Sequence, residues 1–120
     1  MKYMLLVYMD EQAMNDSERE QCYTDSVRLT HDLHAKRQFV AASPLQPVAT
    51  ATSVQVREGK AIVTDGPFAE TREQLGGFYI VDAQDLDEAL GIAARIPPAS
   101  KGTIEVRPIM EIPGLPVVGN

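Results

Sequence analysis

Two stretches of this chain are apolar on both faces that a β-strand presents. In residues 2–8, Tyr3, Leu5 and Val7 alternate with Met4, Leu6 and Tyr8. In residues 77–82, Phe78 and Ile80 alternate with Tyr79 and Val81. Strands of this kind are buried on both sides, so each belongs inside a sheet that is covered twice. The remaining pattern supplies cover for only one side.

A helix is predicted from 18 to 36. Ser17 and Glu20 have the spacing of a capping box. Tyr23, Val27, Thr30 and His34, with Leu33, recur along one side. A short strand follows at 39–42 and is broken by Pro44 and Pro47. Residues 51–57 and 60–64 read as a hairpin turning at Glu58-Gly59. A loop, Thr64-Asp65-Gly66-Pro67-Phe68, leads to one expected helical turn within 69–75 and then to the second apolar strand. A second capping box, Asp85 with Glu88, opens a helix over 86–95 that should bury Leu86, Ala89, Leu90 and Ala93. Pro97-Pro98 ends it, and a last strand runs over 103–109.

The order is β-α-β, an inserted hairpin, then β-α-β. This is the split βαβ, ferredoxin-like pattern of an α+β protein with an antiparallel sheet. Its two helices cover one face. The economical cover for the other is a second copy, sheet against sheet, in an isologous homodimer. At 120 residues the chain makes one domain. We place that domain at 1–110 and read 111–120, with Pro113, Gly114, Pro116 and Gly119, as an extended arm.

Net charge is −6, which argues against nucleic acid as partner, because binding phosphates needs a basic surface. The apolar N-terminal run is too short for a secretion signal or a bilayer span, so no membrane partner is expected. The single cysteine, Cys22, cannot form an internal disulfide and suits the cytoplasm. No phosphate loop or dinucleotide fingerprint appears, and no cofactor is expected. His31 and His34 are three apart on a helix, but nothing completes a metal site, and no metal is expected. Cys22 has no basic neighbour in sequence to activate it and is read as a helix residue without a catalytic task.

Asp65 is the candidate catalytic group. It is either a turn residue that accepts backbone hydrogen bonds beside Gly66 and Pro67, or a carboxylate at a pocket mouth. Burial beside Phe68 and Tyr79 would raise its pKa and make it a better base. Arg72 belongs either to a solvated charge cluster with Glu70 and Glu73, or to a bidentate site for a substrate carboxylate. Tyr79 is a core residue whose hydroxyl could reach a pocket. Gly76-Gly77 either bends the strand start or lets a ligand approach the backbone.

The segment from Val63 through Thr64-Asp65-Gly66-Pro67-Phe68 to Gly76-Gly77-Phe78-Tyr79 resembles the signature of the YCII-like family, in its DGPF-motif branch. Lys2-Tyr3-Met4-Leu5-Leu6, Leu45-Gln46-Pro47, Asp85-Leu86-Asp87-Glu88-Ala89-Leu90 and Glu105-Val106-Arg107-Pro108 extend the likeness over about residues 1–110. The resemblance implies a dimeric α/β barrel. Some relatives are lyases or dehydrohalogenases that act on small cyclic acids with a His and an Asp. Members are also linked with extracytoplasmic-function sigma factors. Aligned on that family, Ser26 stands where many relatives carry the acid-base His, and serine cannot titrate near neutrality. Arg37 replaces the usual small residue at the chain turn.

Two functions follow as expectations. One is a small-ligand-binding or regulatory dimer, with Ser26, Phe68, Arg72 and Tyr79 around the ligand. The other is a cofactor-free lyase or dehydrohalogenase acting on small cyclic or carboxylic compounds, with Asp65 as acid-base residue. The loss of His at Ser26 favours the first.

Overall fold

The structure is a computed structural model and describes residues 1–116. Its elements are β1 (Lys2–Met9), α1 (Asp16–Ala35), β2 (Phe39–Pro44), β3 (Thr52–Arg57), β4 (Lys60–Asp65), β5 (Gln74–Asp82), α2 (Leu86–Ala94) and β6 (Thr103–Pro108), with short 3₁₀ turns at Val48–Thr50 and Pro97–Ser100. Four strands form one sheet in the order β2-β5-β1-β6, and every neighbouring pair is antiparallel. That is the ferredoxin-like order, with β3 and β4 inserted as a separate two-stranded sheet. The two doubly apolar strands, β1 and β5, are the central pair, with Leu5 opposite Tyr79.

Tyr3, Leu5, Val7, Tyr79 and Val81 point to one side and pack with Leu29 and Leu33 of α1 and Ala89, Ile92 and Ala93 of α2. Leu5 and Leu33 are fully buried, and each such side chain stabilises the fold by roughly 1.5–3 kcal/mol. Met4, Leu6, Tyr8 and Phe78 point to the other side and are only half-buried. A bulge between Val7 and Tyr8 sets the two glycines of β5 against this part of β1, with Gly77 opposite Val7.

The capping of α1 corrects the expected register. Asn15, not Ser17, is the cap: its side chain accepts from the Glu18 amide at 2.8 Å, and the Glu18 carboxylate accepts from the Asn15 amide at 3.1 Å. N-x-x-E and S-x-x-E overlap here. The earlier box wins because its Glu18 also pairs with Lys101 at 2.7 Å, tying the helix start to the far end of the chain. The buried stripe is displaced too. Cys22, Leu29 and Leu33 are buried, with Ser26 between them, whereas Tyr23, Val27 and His34 are exposed. Spacing alone admits either row, and the core takes the one carrying both leucines.

At its other end α1 closes in a Schellman motif. The Gln38 amide donates to Leu33 and the Arg37 amide to His34. Arg37 occupies the left-handed position, at φ 59°.

Asp85 caps α2 by accepting from the Glu88 amide at 2.9 Å. The return bond of the expected box is diverted. The Glu88 carboxylate accepts from the Gln84 amide and from the Gln38 side chain, which fastens α2 to the entry of β2. Leu86 and Leu90 are exposed and Ile92 and Ile96 are buried in their place, because the helix is rotated to set Ala89 and Ala93 against the sheet.

The expected helical turn in 69–75 is absent. Thr71 donates to the Glu73 carbonyl and Gln74 to the Thr71 carbonyl, which bends the chain into β5 three residues earlier than predicted. The hairpin turn is as expected. Glu58 and Gly59 have φ of 51° and 76°, the signs of a type I′ turn. Pro44 ends β2 without breaking a ladder, since β2 is an edge strand. Residues 111–116 hold a turn closed by the Leu115 amide on Ile112, and the rest of the expected arm, 117–120, lies outside the described residues.

Candidate functional site

A cavity of about 600 Å³ lies between α1 and the β2–β5 end of the sheet. This is within the ~300–1,000 Å³ usual for small-molecule sites. Helix α1 supplies Arg19, Cys22, Tyr23, Ser26, Val27 and Thr30. Strand β5 supplies Gly76, Gly77, Phe78 and Tyr79, and Phe39, Ala42 and Leu45 close the far wall. The displaced stripe of α1 is what opens the space. Below Leu29 and Leu33 the stripe continues through small Ser26 and Cys22, which cannot fill the gap over the sheet. The sequence pattern sets Cys22 aside as a helix residue without a basic neighbour, and it places the apolar row one residue further on, so neither reading puts Cys22 at a cavity.

The walls are mainly apolar, and two of the titratable groups among them are shifted. Burial pushes the Tyr79 phenol up from its ordinary value, while the Ser26 hydroxyl beside it partly offsets the rise. Burial also raises the Cys22 thiol, again partly offset by Ser26 and reinforced by the negative charge of Asp25. Neither group is a good base near neutral pH, because each holds its proton more tightly than in water.

The rim is held by charges that the sequence pattern did not single out. Arg19 donates to the Glu11 carbonyl at 3.0 Å and the Met14 carbonyl at 3.4 Å, and pairs with Asp16 at 3.2 Å. The Glu11 carboxylate accepts from the Val48 amide at 2.9 Å, and the Glu11 amide donates to Gln74 at 3.1 Å. The loop after β1 is therefore fastened to the linker after β2 and to the start of β5. A lone arginine in the acidic first turns of a helix was the available signal.

Of the residues singled out in the sequence, Ser26 and Tyr79 line this cavity together. Asp65, Phe68 and Arg72 do not line it. Asp65 ends β4 and is exposed, and Phe68 is 87% exposed, so the burial expected around Asp65 does not occur within one chain. Arg72 is exposed in the bend before β5. Gly77 serves a close backbone approach, since a β-carbon there would stand 2.9 Å from the Ser43 carbonyl oxygen of β2. His31 and His34 are exposed on α1. Among the described residues no three His, Cys, Asp or Glu side chains are grouped to hold a metal ion. Nor is any described helix long and apolar enough to cross a membrane.

The family model for the YCII-related domain matches residues 1–113. An uncharacterised protein of Rhizobium meliloti (strain 1021) is 42% identical over 118 residues, covering 91% of this chain and 92% of that one. Among solved structures, 5-chloro-2-hydroxyhydroquinone dehydrochlorinase from Burkholderia phenoliruptrix AC1100, in complex with 2,5-dihydroxybenzoquinone, is similar with a TM-score of 0.52. It is 15% identical, and the match covers 92% of this chain and 94% of that chain. At that identity the likeness is one of fold.

Proposed function

This chain belongs to the YCII-related family, and from that premise we propose that it is a ligand-binding homodimer whose α1–sheet cavity holds a small, mainly apolar ring compound bearing a hydroxyl or carbonyl group. The observation that carries this reading is a mainly apolar cavity of about 600 Å³ with the hydroxyl-bearing Ser26 and Tyr79 in its lining. Apolar walls supply affinity, and two hydroxyls supply orientation. Ser26 cannot move a proton as a histidine would, and burial makes Tyr79 a weaker acid, so the site favours binding over proton transfer. The homodimer is supported by the half-buried second face of the sheet. Cytoplasmic location is supported by the single free cysteine, Cys22. A regulatory outlet through an extracytoplasmic-function sigma factor is supported by the family resemblance alone.

A second reading is catalytic: a cofactor-free lyase or dehydrohalogenase with Asp65 as acid-base residue and Arg72 and Phe68 contacting substrate. It is favoured by the fold shared with a dehydrochlorinase solved with a ring quinone. Turnover that Asp65→Asn abolishes would establish it over the first.

Cys22 is the only cysteine and lines the cavity, so its modification rate reports occupancy. A panel of phenols, hydroxyquinones and benzoates should contain compounds that slow thiol labelling and raise the melting temperature. At a hundred times Kd the gain is about 2.7 kcal/mol. Ser26→Leu should remove both effects. If no compound in the panel protects Cys22 or stabilises the fold, the binding reading fails.

A further inference from the structure

The hairpin of β3 and β4 is amphipathic, and its apolar side is bare. Val54 lies opposite Val63, and Val56 opposite Ala61, so these four share one face with Thr52 and Asp65. The other face carries Ser53, Gln55, Arg57, Lys60 and Thr64, with Ile62. Exposure is 64% for Val54, 63% for Val56 and 66% for Val63. The hairpin is nonetheless firmly set. Its root is extended by the Gly66 amide on the Ala51 carbonyl and by the Ser53 hydroxyl on the Gly66 carbonyl. It stands away from the body: β3 and β4 pack chiefly on each other and on no other element to a comparable extent. A two-stranded ribbon is at best marginally stable alone, and a valine-rich ribbon with open edges invites association.

We propose that this hairpin is a clasp, and that in solution the valine face of each copy lies on the body of a second copy of this chain. The inference rests on the homodimer reading and says which segment holds it together. Two features point to a second copy as the occupant. The chain exposes two apolar surfaces, the valine face and the Met4–Leu6–Phe78 side of the sheet, and a two-fold pair covers surfaces of both kinds at once. The hairpin tip also carries Arg57 and Lys60 against the single Glu58, whereas the whole chain has a net charge of −6. A tip reaching over a second copy therefore meets an acidic body. The clasp carries Asp65, at the root of the valine face, toward the same partner.

Light scattering across a dilution series tests this on the full chain. Wild type should show twice the chain mass of 13.2 kDa. The double variant Val54→Lys/Val63→Lys should raise the dimer dissociation constant tenfold or more. Gln55→Lys/Thr64→Lys adds the same charge on the opposite face and should leave it unchanged. If the valine variant pairs as tightly as wild type, the clasp is wrong and sheet pairing stands alone. If wild type is a monomer at every concentration, the clasp and the homodimer reading fall together. Should the valine variant not fold, a photo-crosslinking residue placed at 63 decides: a covalent dimer supports the clasp, and its absence, with a dimer present by mass, overturns it.

Discussion

Ser26 on α1 and Tyr79 on β5 line the same cavity from its helix wall and its sheet wall, and the serine offsets part of the rise that burial gives both the Tyr79 phenol and the Cys22 thiol. They face the cavity where the helix row carries small Cys22 and Ser26 in place of large side chains. Removing the Tyr79 hydroxyl leaves the wall intact, so Tyr79→Phe separates polar recognition from shape. A hydroxylated ring that binds the cavity should lose about five- to tenfold in affinity, the worth of one net hydrogen bond. The same ring without its hydroxyl should bind both proteins equally by calorimetry. Equal loss for both rings would show that the effect comes from repacking.

The buried Cys22 and Tyr79 make stability fall in alkali. Both hold their protons more tightly in the folded state, chiefly because burial disfavours the charged form. Above the unfolded pKa the folded chain thus binds more protons than the unfolded one, and stability declines as pH rises. The decline should begin above about pH 8.5, where an exposed thiol ionises. Urea midpoints from pH 7 to 10 measure it. Cys22→Ala should flatten the first part of the curve, and an unchanged slope in that variant would remove Cys22 as its source.

The acid limb has the opposite sign. Asp32 is held below the ordinary carboxylate range by Arg95, 2.5 Å away, and by Lys36. Glu18 is held low by Lys101 and by the Asn15 amide. Depressed carboxylates contribute stability that is present above their unfolded pKa and is lost as pH falls through the folded one. Stability should therefore drop below about pH 4. Asp32→Asn should weaken that dependence and also lower stability slightly at neutral pH, with the loss reduced by salt because the pair is solvent-facing.

Arg37 stands where a Schellman motif usually has glycine, at φ 59°. An L-residue there bears strain of about 1–2 kcal/mol, partly offset by the backbone entropy that glycine would lose. Arg37→Gly should stabilise the fold by about 0.5–1 kcal/mol and raise the melting temperature by a few degrees. The urea slope should not change. A loss of stability would mean that the arginine side chain makes a stabilising contact of its own.

Much of the fold was legible along the chain because its signals are local. The double apolar faces of β1 and β5 required a central position. Glu58-Gly59 specified a type I′ turn, and Asp85 marked a helix start. Where two local signals overlapped, distant contacts chose between them. Glu18 reaches Lys101, eighty-three residues away, and this moves the α1 cap to Asn15. The site was half legible. Ser26 and Tyr79 are in the cavity, while Asp65, Phe68 and Arg72 are exposed outside it. The sequence by itself determined which residues alternate, which turn and which cap, because those depend on neighbours a few bonds away. Only the tertiary structure decided how far α1 rotates over the sheet, and with it that Cys22 is buried and Ser26 half-buried while Tyr23 and Val27 are exposed. That rotation is settled by how Leu29 and Leu33 fit against strands far away in the chain, and spacing within one helix carries no record of it.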